Sequence, residues 1–362
     1  MIYNIQIFRG IASVVVVLAH ANLLVNSEMM GGAFIPGYSG VDFFFVLSGF
    51  IISYRHLNDL GHPSKFKRYV TKRALRILPA YWLYTAFVVL CAFTISFLFN
   101  YNILPWTKID ASHILGSFLF FPTDIINNAA PVLPVAWTLT YEVMFYAIFG
   151  LAIALPAKAF KYIATTWLVL ILLSNAFAWS QSLFFRVFTD LRNIEFLMGC
   201  AIAYFVQKRW RATNAGSGRI ALFFGCLLLI AFWFNAATGF RAFPKNADAF
   251  SFGISYALIV FGGVIIELKG NRLHKSSKFD NLLNFIGDAS YSIYLVHFTI
   301  IFTLNRILKH FINHEYLGSF LGFIVISLIA ILVGCAAYVF VEKPAIIRLR
   351  QWLSPSVRQV LT

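Results

Sequence analysis

The sequence has few charged residues: Asp, Glu, Lys and Arg make up 12% of its 362 residues, while hydrophobic residues make up 60%. A soluble domain typically carries about 25% charged residues. No soluble fold of this length has a core large enough for so much apolar surface, and a disordered chain needs far lower hydrophobicity. The scarcity of charge therefore excludes both classes and indicates a polytopic membrane protein.

Cysteine is also scarce. The four cysteines each stand alone in an apolar stretch, without a CxxC or Cys/His spacing (Cys91, Cys200, Cys226, Cys335). This pattern excludes a disulfide framework and a cysteine metal site. We expect the cysteines to be small apolar residues of membrane helices, and we expect neither a metal nor a bound cofactor.

Acidic residues are outnumbered: 14 Asp and Glu face 29 Lys and Arg, for a net charge of +15. In a soluble protein this excess would suggest a nucleic-acid partner. In a membrane protein it follows from the accumulation of Lys and Arg in cytoplasmic loops. We therefore expect contact with membrane lipids and no nucleic acid.

Long apolar stretches are abundant, and a bilayer core takes about 20 such residues per helix. The sequence predicts an all-α fold with about ten transmembrane helices. A further stretch, His113 to Phe121, is too short to cross and is predicted to be a re-entrant or surface helix. The ten predicted spans are 5–25, 38–54, 79–100, 137–155, 162–180, 190–207, 220–238, 250–268, 282–304 and 318–341.

The basic residues predict the orientation of these spans. Most of them lie in alternate connecting segments, above all in the segment from Arg55 to Arg76, and also after spans four, six, eight and ten. By the positive-inside rule, these segments and both termini face the cytoplasm. Ala19-His20-Ala21 has the form of a signal-peptide cleavage site, but cleavage would spoil the alternation, so we expect the first span to be retained.

Ionisable residues inside membrane spans are costly and are candidate functional residues. Seven occur here: Arg9, His20, Asp42, Glu142, Glu195, Asp288 and His297. Arg9 and His20 lie on one face of the first helix, roughly 16 Å apart along its axis. The predicted topology puts His20, Asp42 and Glu142 at a common depth near the outer side, which favours a polar cluster.

The chemistry of these residues suggests different roles. Neutral imidazole accepts protons at pH 7, and a carboxylate beside it would orient the ring, so His20 and Glu142 are candidate catalytic residues. Asp42 fits either that cluster or helix packing. For Glu195 and Asp288 we favour packing, because membrane carboxyls often bond a neighbouring helix.

Two further patterns allow alternatives. Arg73 and Arg76 lie one helical turn apart, so their guanidinium groups could converge on a phosphate; contact with anionic lipid explains the same charges. Tyr291, Tyr294 and His297 recur every third residue and share a broad helix face, a pattern that packing alone would also produce.

Five segments together resemble a known family. They are Arg9 to His20 (R-x10-H), GVDFFFVLSGF from Gly40, Arg73-x-x-Arg76 with Pro79 and Tyr81, WTLTYE from Trp137 with Phe145-Tyr146, and GDASYSIYLVH from Gly287. In this order, over nearly the whole chain, they resemble the acyltransferase-3 family of membrane O-acyltransferases, particularly its surface-glycan branch. Thr138 and Val143 depart from the family pattern, as the exopolysaccharide branch tolerates.

The resemblance implies a mechanism. Cytoplasmic acyl-CoA, most simply acetyl-CoA, would donate an acyl group to a hydroxyl of a surface or lipid-linked glycan at the bacterial plasma (inner) membrane. His20 would act as base, or would carry the acyl group covalently, with Glu142 beside it. The other implied roles are donor binding by Arg9, Lys72, Arg73 and Arg76, and a pocket or tunnel lined by Asp42, Trp137, Tyr291, Tyr294 and His297.

The same resemblance implies an acyltransferase-type transmembrane domain over 1–342, followed by a basic cytoplasmic tail over 343–362. We expect the protein to deliver the acyl group itself or to pass it to a separate partner. The alternative from another class is a proton-coupled transporter or flippase, which also uses intramembrane charges; the sequence does not show the paired broken helices typical of carriers. A purely structural subunit would not need the outer polar cluster.

Overall fold

All regular elements of the described residues are helices. The computed structural model describes residues 2–25, 32–100, 102, 104–107, 110–121, 130–177, 183–238, 248–270, 278–309, 311 and 319–352. A π-helical turn, Tyr338–Glu342, joins the last two helices. In chain order the helices are α1 (Tyr3–Val25), α2 (Gly40–His56), α3 (Phe66–Phe99), α4 (Ala111–Phe118), α5 (Trp137–Ala154), α6 (Ala159–Ala176), α7 (Leu183–Thr189), α8 (Asn193–Arg209), α9 (Ala215–Thr238), α10 (Asp248–Leu268), α11 (Lys278–Leu308), α12 (Phe320–Ala337) and α13 (Lys343–Trp352).

The predicted multi-pass architecture is confirmed. Within the described ranges, nine helical segments are long and apolar enough to cross a membrane. They contain α1, α2, α3, α5, α6, α9, α10, α11 and α12. The sixth predicted span, 190–207, corresponds to α8, which has 17 residues and is shorter than the usual crossing length.

Helix α8 nevertheless lies along α2, which also has 17 residues. Gln207 Nε2 donates to the Tyr54 carbonyl oxygen at 2.7 Å, and the Cys200 thiol lies 3.8 Å from the Gly49 carbonyl oxygen. Residue numbers rise together along both helices, so the pair is parallel. In the predicted topology successive spans alternate in direction, so the second and sixth spans run the same way and must be parallel.

Helix α3 begins earlier than predicted. The sequence predicts a third apolar span over 79–100. In the structure the helix begins at Phe66, and Pro79 lies inside it. Membrane helices tolerate an internal proline where neighbouring groups satisfy the freed carbonyl. The basic residues before Pro79 therefore project from a helix that continues into the membrane span.

The short helix α4 agrees with the prediction of a non-crossing segment. Asp110 caps it by accepting a hydrogen bond from the His113 backbone N–H at 2.8 Å. Hydrogen bonds from the Ser112 hydroxyl and this N–H hold the pKa of Asp110 below its ordinary value. Such a cap satisfies a helix-end donor that has no intrahelical partner.

The chain divides into two compact units. The first comprises 1–58, 190–291 and 304–331, and the second comprises 59–189, 292–303 and 332–362. In the first unit, the Glu267 carboxylate accepts the backbone N–H groups of Tyr3 and Asn4 at 2.6 and 2.7 Å. This carboxylate satisfies the first turn of α1 and complements the positive end of its dipole.

Helices α2 and α8 touch through glycines. A Cβ atom on Gly49 would lie 2.1 Å from the Phe196 carbonyl oxygen, and one on Gly199 would lie 2.1 Å from the Val46 carbonyl oxygen. Two helices can approach this closely only where side chains are absent, as at many membrane-helix contacts. The glycine contact fixes the distance between α2 and α8.

Replacing Gly49 by alanine should therefore destabilise the first unit. The added methyl group meets backbone that cannot move aside, and overpacking of this kind costs about 1–3 kcal/mol. We expect Gly49→Ala to lower the unfolding temperature in detergent, measured by tryptophan fluorescence and size-exclusion chromatography. Gly216→Ala is the matched control, because its new methyl group would meet only the Asn214 side chain, at 3.1 Å. Equal unfolding temperatures for the two variants would contradict the packing argument.

Candidate functional site

His20 lies near the C-terminal end of α1, in the first unit. Its Nδ1 is 3.0 Å from the Val16 carbonyl oxygen. A carbonyl can only accept, so Nδ1 carries a hydrogen, and in the neutral ring the lone pair is on Nε2. The backbone thus fixes both the ring orientation and the tautomer, and Nε2 is the nitrogen that can accept a proton.

Arg9 is held by a short chain of polar groups on α1 and α11. Its Nη1 donates to Gln6 Oε1 at 3.2 Å and its Nη2 to Ser290 Oγ at 3.0 Å. Gln6 Nε2 in turn donates to Asp288 Oδ1 at 2.6 Å. The sequence interpretation of Asp288 as a packing residue therefore omits its link to Arg9, which depends on a neighbouring helix.

Asp42 lies on α2 beside Glu195 of α8. Both side chains are buried, and their carboxyl groups adjoin one another. Tyr256 belongs to the same cluster, and its hydroxyl is 2.9 Å from Ser39 Oγ. The sequence assigns Glu195 to packing, and its partner is the carboxyl group that the sequence assigns to the pocket.

Glu142 lies on α5, in the second unit. The Tyr146 hydroxyl, one turn along α5, donates to Glu142 Oε1 at 2.5 Å. The guanidinium carbon of Arg73 is 5.8 Å from the centre of the Tyr146 ring. Tyr146 thus connects the two predicted site residues. The sequence-based depths separate Arg73 and Glu142 across the membrane, whereas the structure brings both to one tyrosine.

Arg73 has a further property relevant to binding. Its Nε is buried and has no hydrogen-bond partner among the described residues. A buried donor without a partner costs about 1–3 kcal/mol, and more when it is charged. An anionic ligand at this position would remove that cost.

Arg76 makes a buried ion pair that the sequence does not reveal. Its Nη1 lies 2.8 Å from Glu342 Oε1, and the Glu342 side chain is fully buried whereas that of Arg76 is 35% exposed. The Ser292 hydroxyl donates to Glu342 Oε2 at 2.5 Å, and Tyr84 Oη lies 2.7 Å from Ser292 Oγ. Glu342 lies in the π-helical turn just beyond the tenth predicted span, so it is not among the predicted intramembrane charges. Lys72 is half-buried one turn before Arg76 on α3.

The remaining predicted pocket residues have firm local contacts. The Tyr294 hydroxyl donates to the Val135 carbonyl oxygen at 3.1 Å and lies 3.0 Å from Thr138 Oγ1, which ties α11 to the start of α5. His297 is fully buried, with Nδ1 2.7 Å from the Tyr294 carbonyl oxygen. The Trp137 ring packs edge-on against the Tyr141 ring, with 5.7 Å between the ring centres.

The predicted site residues therefore fall into two sets. Arg9, His20, Asp42 and Tyr291 belong to the first unit. The members in the second unit are Lys72, Arg73, Arg76, Trp137, Glu142, Tyr294 and His297. Among the described residues, no group of three or more His, Cys, Asp or Glu side chains could hold a metal ion.

The Arg76–Glu342 pair yields an asymmetric stability prediction. Arg76→Gln leaves a fully buried carboxylate unpaired, and breaking such a pair costs about 3–5 kcal/mol. Glu342→Gln leaves a half-exposed guanidinium unpaired and should cost less. The double variant should recover much of the loss, because no uncompensated buried charge remains. The measurement is the unfolding temperature of all four proteins, and additive losses in the double variant would contradict the pairing.

The family profile and the individual relatives that match this chain agree on one family. The profile of a family described as an acyltransferase domain (Acyl_transf_3) matches residues 2–339. The exopolysaccharide production protein ExoZ of Rhizobium meliloti is 30% identical over 326 residues, which cover 89% of this chain and 93% of that protein. The O-acetyltransferase OatA of Staphylococcus aureus is 24% identical over 363 residues, covering 93% of this chain and 56% of OatA. This chain thus spans about half the length of OatA. No solved structure matches it significantly.

Proposed function

Because the chain belongs to the acyltransferase-3 family of membrane O-acyltransferases, we propose that it transfers an acyl group from cytoplasmic acyl-CoA to a hydroxyl of a cell-surface or lipid-linked glycan. Acetyl-CoA is the proposed donor, since relatives such as OatA are named O-acetyltransferases. The proposed location is the bacterial plasma membrane, with both termini in the cytoplasm. The proposed domain is 1–342, with 343–362 as a basic tail.

The observation that carries this proposal is the fixed imidazole of His20. Because the Val16 carbonyl holds Nδ1–H, Nε2 presents a lone pair in the neutral ring. This arrangement suits a general base that removes the proton of an attacking hydroxyl. The ring needs no reorientation before proton transfer, since the contact is made within α1 itself.

In the proposed reaction, His20 both accepts and returns the proton. The glycan oxygen attacks the thioester carbonyl carbon while its proton passes to His20 Nε2. The C–S bond then breaks, and the imidazolium returns the proton to the departing thiolate, giving an ester and CoA. Glu142 keeps its proposed catalytic role within the second unit, where the Tyr146 hydroxyl holds its carboxylate. In the covalent alternative, Nε2 attacks the thioester carbonyl carbon and the C–S bond breaks, so that CoA leaves as its thiolate. The glycan hydroxyl then attacks the acyl-imidazole, the C–N bond breaks, and the hydroxyl proton passes to the CoA thiolate.

For binding of the acyl donor we propose Lys72, Arg73 and Arg76 of the second unit; Arg9, in the first unit, keeps the donor-binding role that the family resemblance implies. The unpartnered buried Nε of Arg73 supports a role in binding an anion such as a CoA phosphate. Glu342 would hold the guanidinium of Arg76 in place for the same task. Pocket or tunnel roles stay proposals for Asp42 and Tyr291 in the first unit and for Trp137, Tyr294 and His297 in the second.

The name of one relative supports a proposal for the class of the acceptor. ExoZ, which this chain matches over nearly all of its length, is named for exopolysaccharide production. We therefore propose an extracellular or lipid-linked polysaccharide as acceptor.

Whole-cell glycan analysis tests the function. Strains that carry the wild type or His20→Ala would be compared by NMR of purified surface polysaccharide before and after mild base treatment. We expect a base-labile acetyl signal in the wild type only, with equal amounts of membrane protein in both strains. An acetyl signal that is the same in both strains would contradict acetyl transfer to that polysaccharide.

The division of roles between His20 and Arg73 has its own test. General-base catalysis contributes about 10²–10⁴-fold, so His20→Ala should lower kcat by that factor with little change in donor binding. Arg73→Ala should chiefly raise the dissociation constant for acetyl-CoA, measured with labelled donor and protein in nanodiscs. Arg73→Lys is the matched control, because it keeps the charge but loses the planar guanidinium fork. Its dissociation constant for acetyl-CoA should lie between those of the wild type and Arg73→Ala. Equal losses of donor binding in the His20 and Arg73 variants would contradict these roles.

A further inference from the structure

A basic groove lies on α13, directly after the last apolar span, and the proposed function leaves it without a role. From Phe320 to Val341 the chain carries no Asp, Glu, Lys or Arg, and α12 and most of the π-helical turn fill this stretch. At about 1.5 Å per residue the stretch is long enough for the roughly 30 Å hydrocarbon core of a bilayer. Lys343, the first residue of α13, therefore lies where the span meets the lipid headgroups.

The groove combines cationic and apolar side chains in a fixed pattern. Residues four apart form ridges on a helix surface, so Lys343 and Ile347 belong to one ridge and Pro344 and Arg348 to the next. The two cations thus lie at opposite corners of a four-residue hollow, and the other two corners are apolar. The groove belongs to the second unit, has a volume of about 440 Å³ and is lined by Val339, Lys343, Pro344, Ile347, Arg348 and Gln351.

The local backbone explains why a hollow forms at this place. Pro344 has no backbone N–H, so it cannot donate to the carbonyl four residues earlier, and its ring needs room there. The π-helical turn Tyr338–Glu342 comes directly before it, and its hydrogen bonds span five residues instead of four. The wider turn provides the room for the proline ring, which becomes part of the groove wall.

The groove attracts anions. Lys343 and Arg348 are exposed, and none of the described residues that line the groove is acidic. Glu342 precedes Lys343, but its carboxylate is fully buried and is engaged by Arg76 and Ser292. An Arg fork and a Lys ammonium are the groups with which proteins bind phosphate. Two such cations beside apolar side chains match a phosphate group that carries acyl chains.

We propose that this groove binds the headgroup of one anionic phospholipid, with its phosphate between Lys343 and Arg348 and an acyl chain along Val339. The apolar surroundings favour a lipid over a free phosphate: Phe340 is 77% exposed and Trp352 is 87% exposed. Tryptophan is enriched where a protein crosses the bilayer interface. A bound lipid would anchor α13 at the membrane surface. The inference does not depend on acyl transfer.

Native mass spectrometry of the full chain in detergent, titrated with phosphatidylglycerol, tests the proposal. The wild type should bind one phosphatidylglycerol tightly and phosphatidylcholine, whose headgroup has no net charge, more weakly. A basic residue contributes about fivefold to the affinity for anionic lipid, so Arg348→Gln should raise the dissociation constant about fivefold and Lys343→Gln/Arg348→Gln about 25-fold. Arg350→Gln is the matched control: it removes the same charge from the same helix but outside the groove, and should leave the dissociation constant unchanged.

The control separates a defined site from attraction to the net charge of α13. Equal losses in Arg348→Gln and Arg350→Gln would mean diffuse attraction and would overturn the groove as a binding site. Equal affinity for phosphatidylcholine, or displacement of the lipid by inorganic phosphate, would overturn an anionic phospholipid as its occupant. Size-exclusion chromatography checks that the variants stay folded, and the two single variants decide if the double variant does not.

Discussion

Lipid offers no hydrogen bonds, so every polar side chain within a membrane span of this protein needs a partner on the protein itself. Much of the architecture follows from this constraint. Glu267 takes up the first backbone groups of α1, and Glu342 takes up the guanidinium of Arg76. Each such contact joins segments far apart in sequence, so the polar residues that a bilayer penalises also specify which helices lie together within each unit.

The same constraint prepares the site for chemistry. His20 and His297 each place Nδ1 against a carbonyl of their own helix, which selects one tautomer of the neutral ring. Tyr146 supplies a hydrogen bond to Glu142 and a ring face to Arg73. These groups are held before any ligand arrives, and such preorganisation is the usual source of electrostatic catalysis.

The sequence predicts what lies within one helix and misses what depends on two. Hydropathy locates the spans, and the spacing of Arg9 and His20 puts them on one face of α1. Helix α3 begins before the predicted third span, because hydropathy finds only apolar stretches and the first turns of this helix are basic. Glu342 is not predicted as a site residue, because it lies just beyond the tenth apolar stretch. The links from Asp288 to Gln6 and from Glu195 to Asp42 require knowing which helices touch, and spacing within a single helix carries no such information.

Helix α1 also works as a molecular ruler. Arg9 and His20 are carried on the same continuous helix, whose first turn is pinned by Glu267. Their separation is therefore set by the pitch of an α-helix and not by any loop. One inserted residue between them would rotate one end by about 100° relative to the other, whereas seven would add nearly two whole turns and about 10 Å. A change of span between these two positions is thus available only in coarse steps, so any preference for acyl length measured along α1 would be quantised by helical turns.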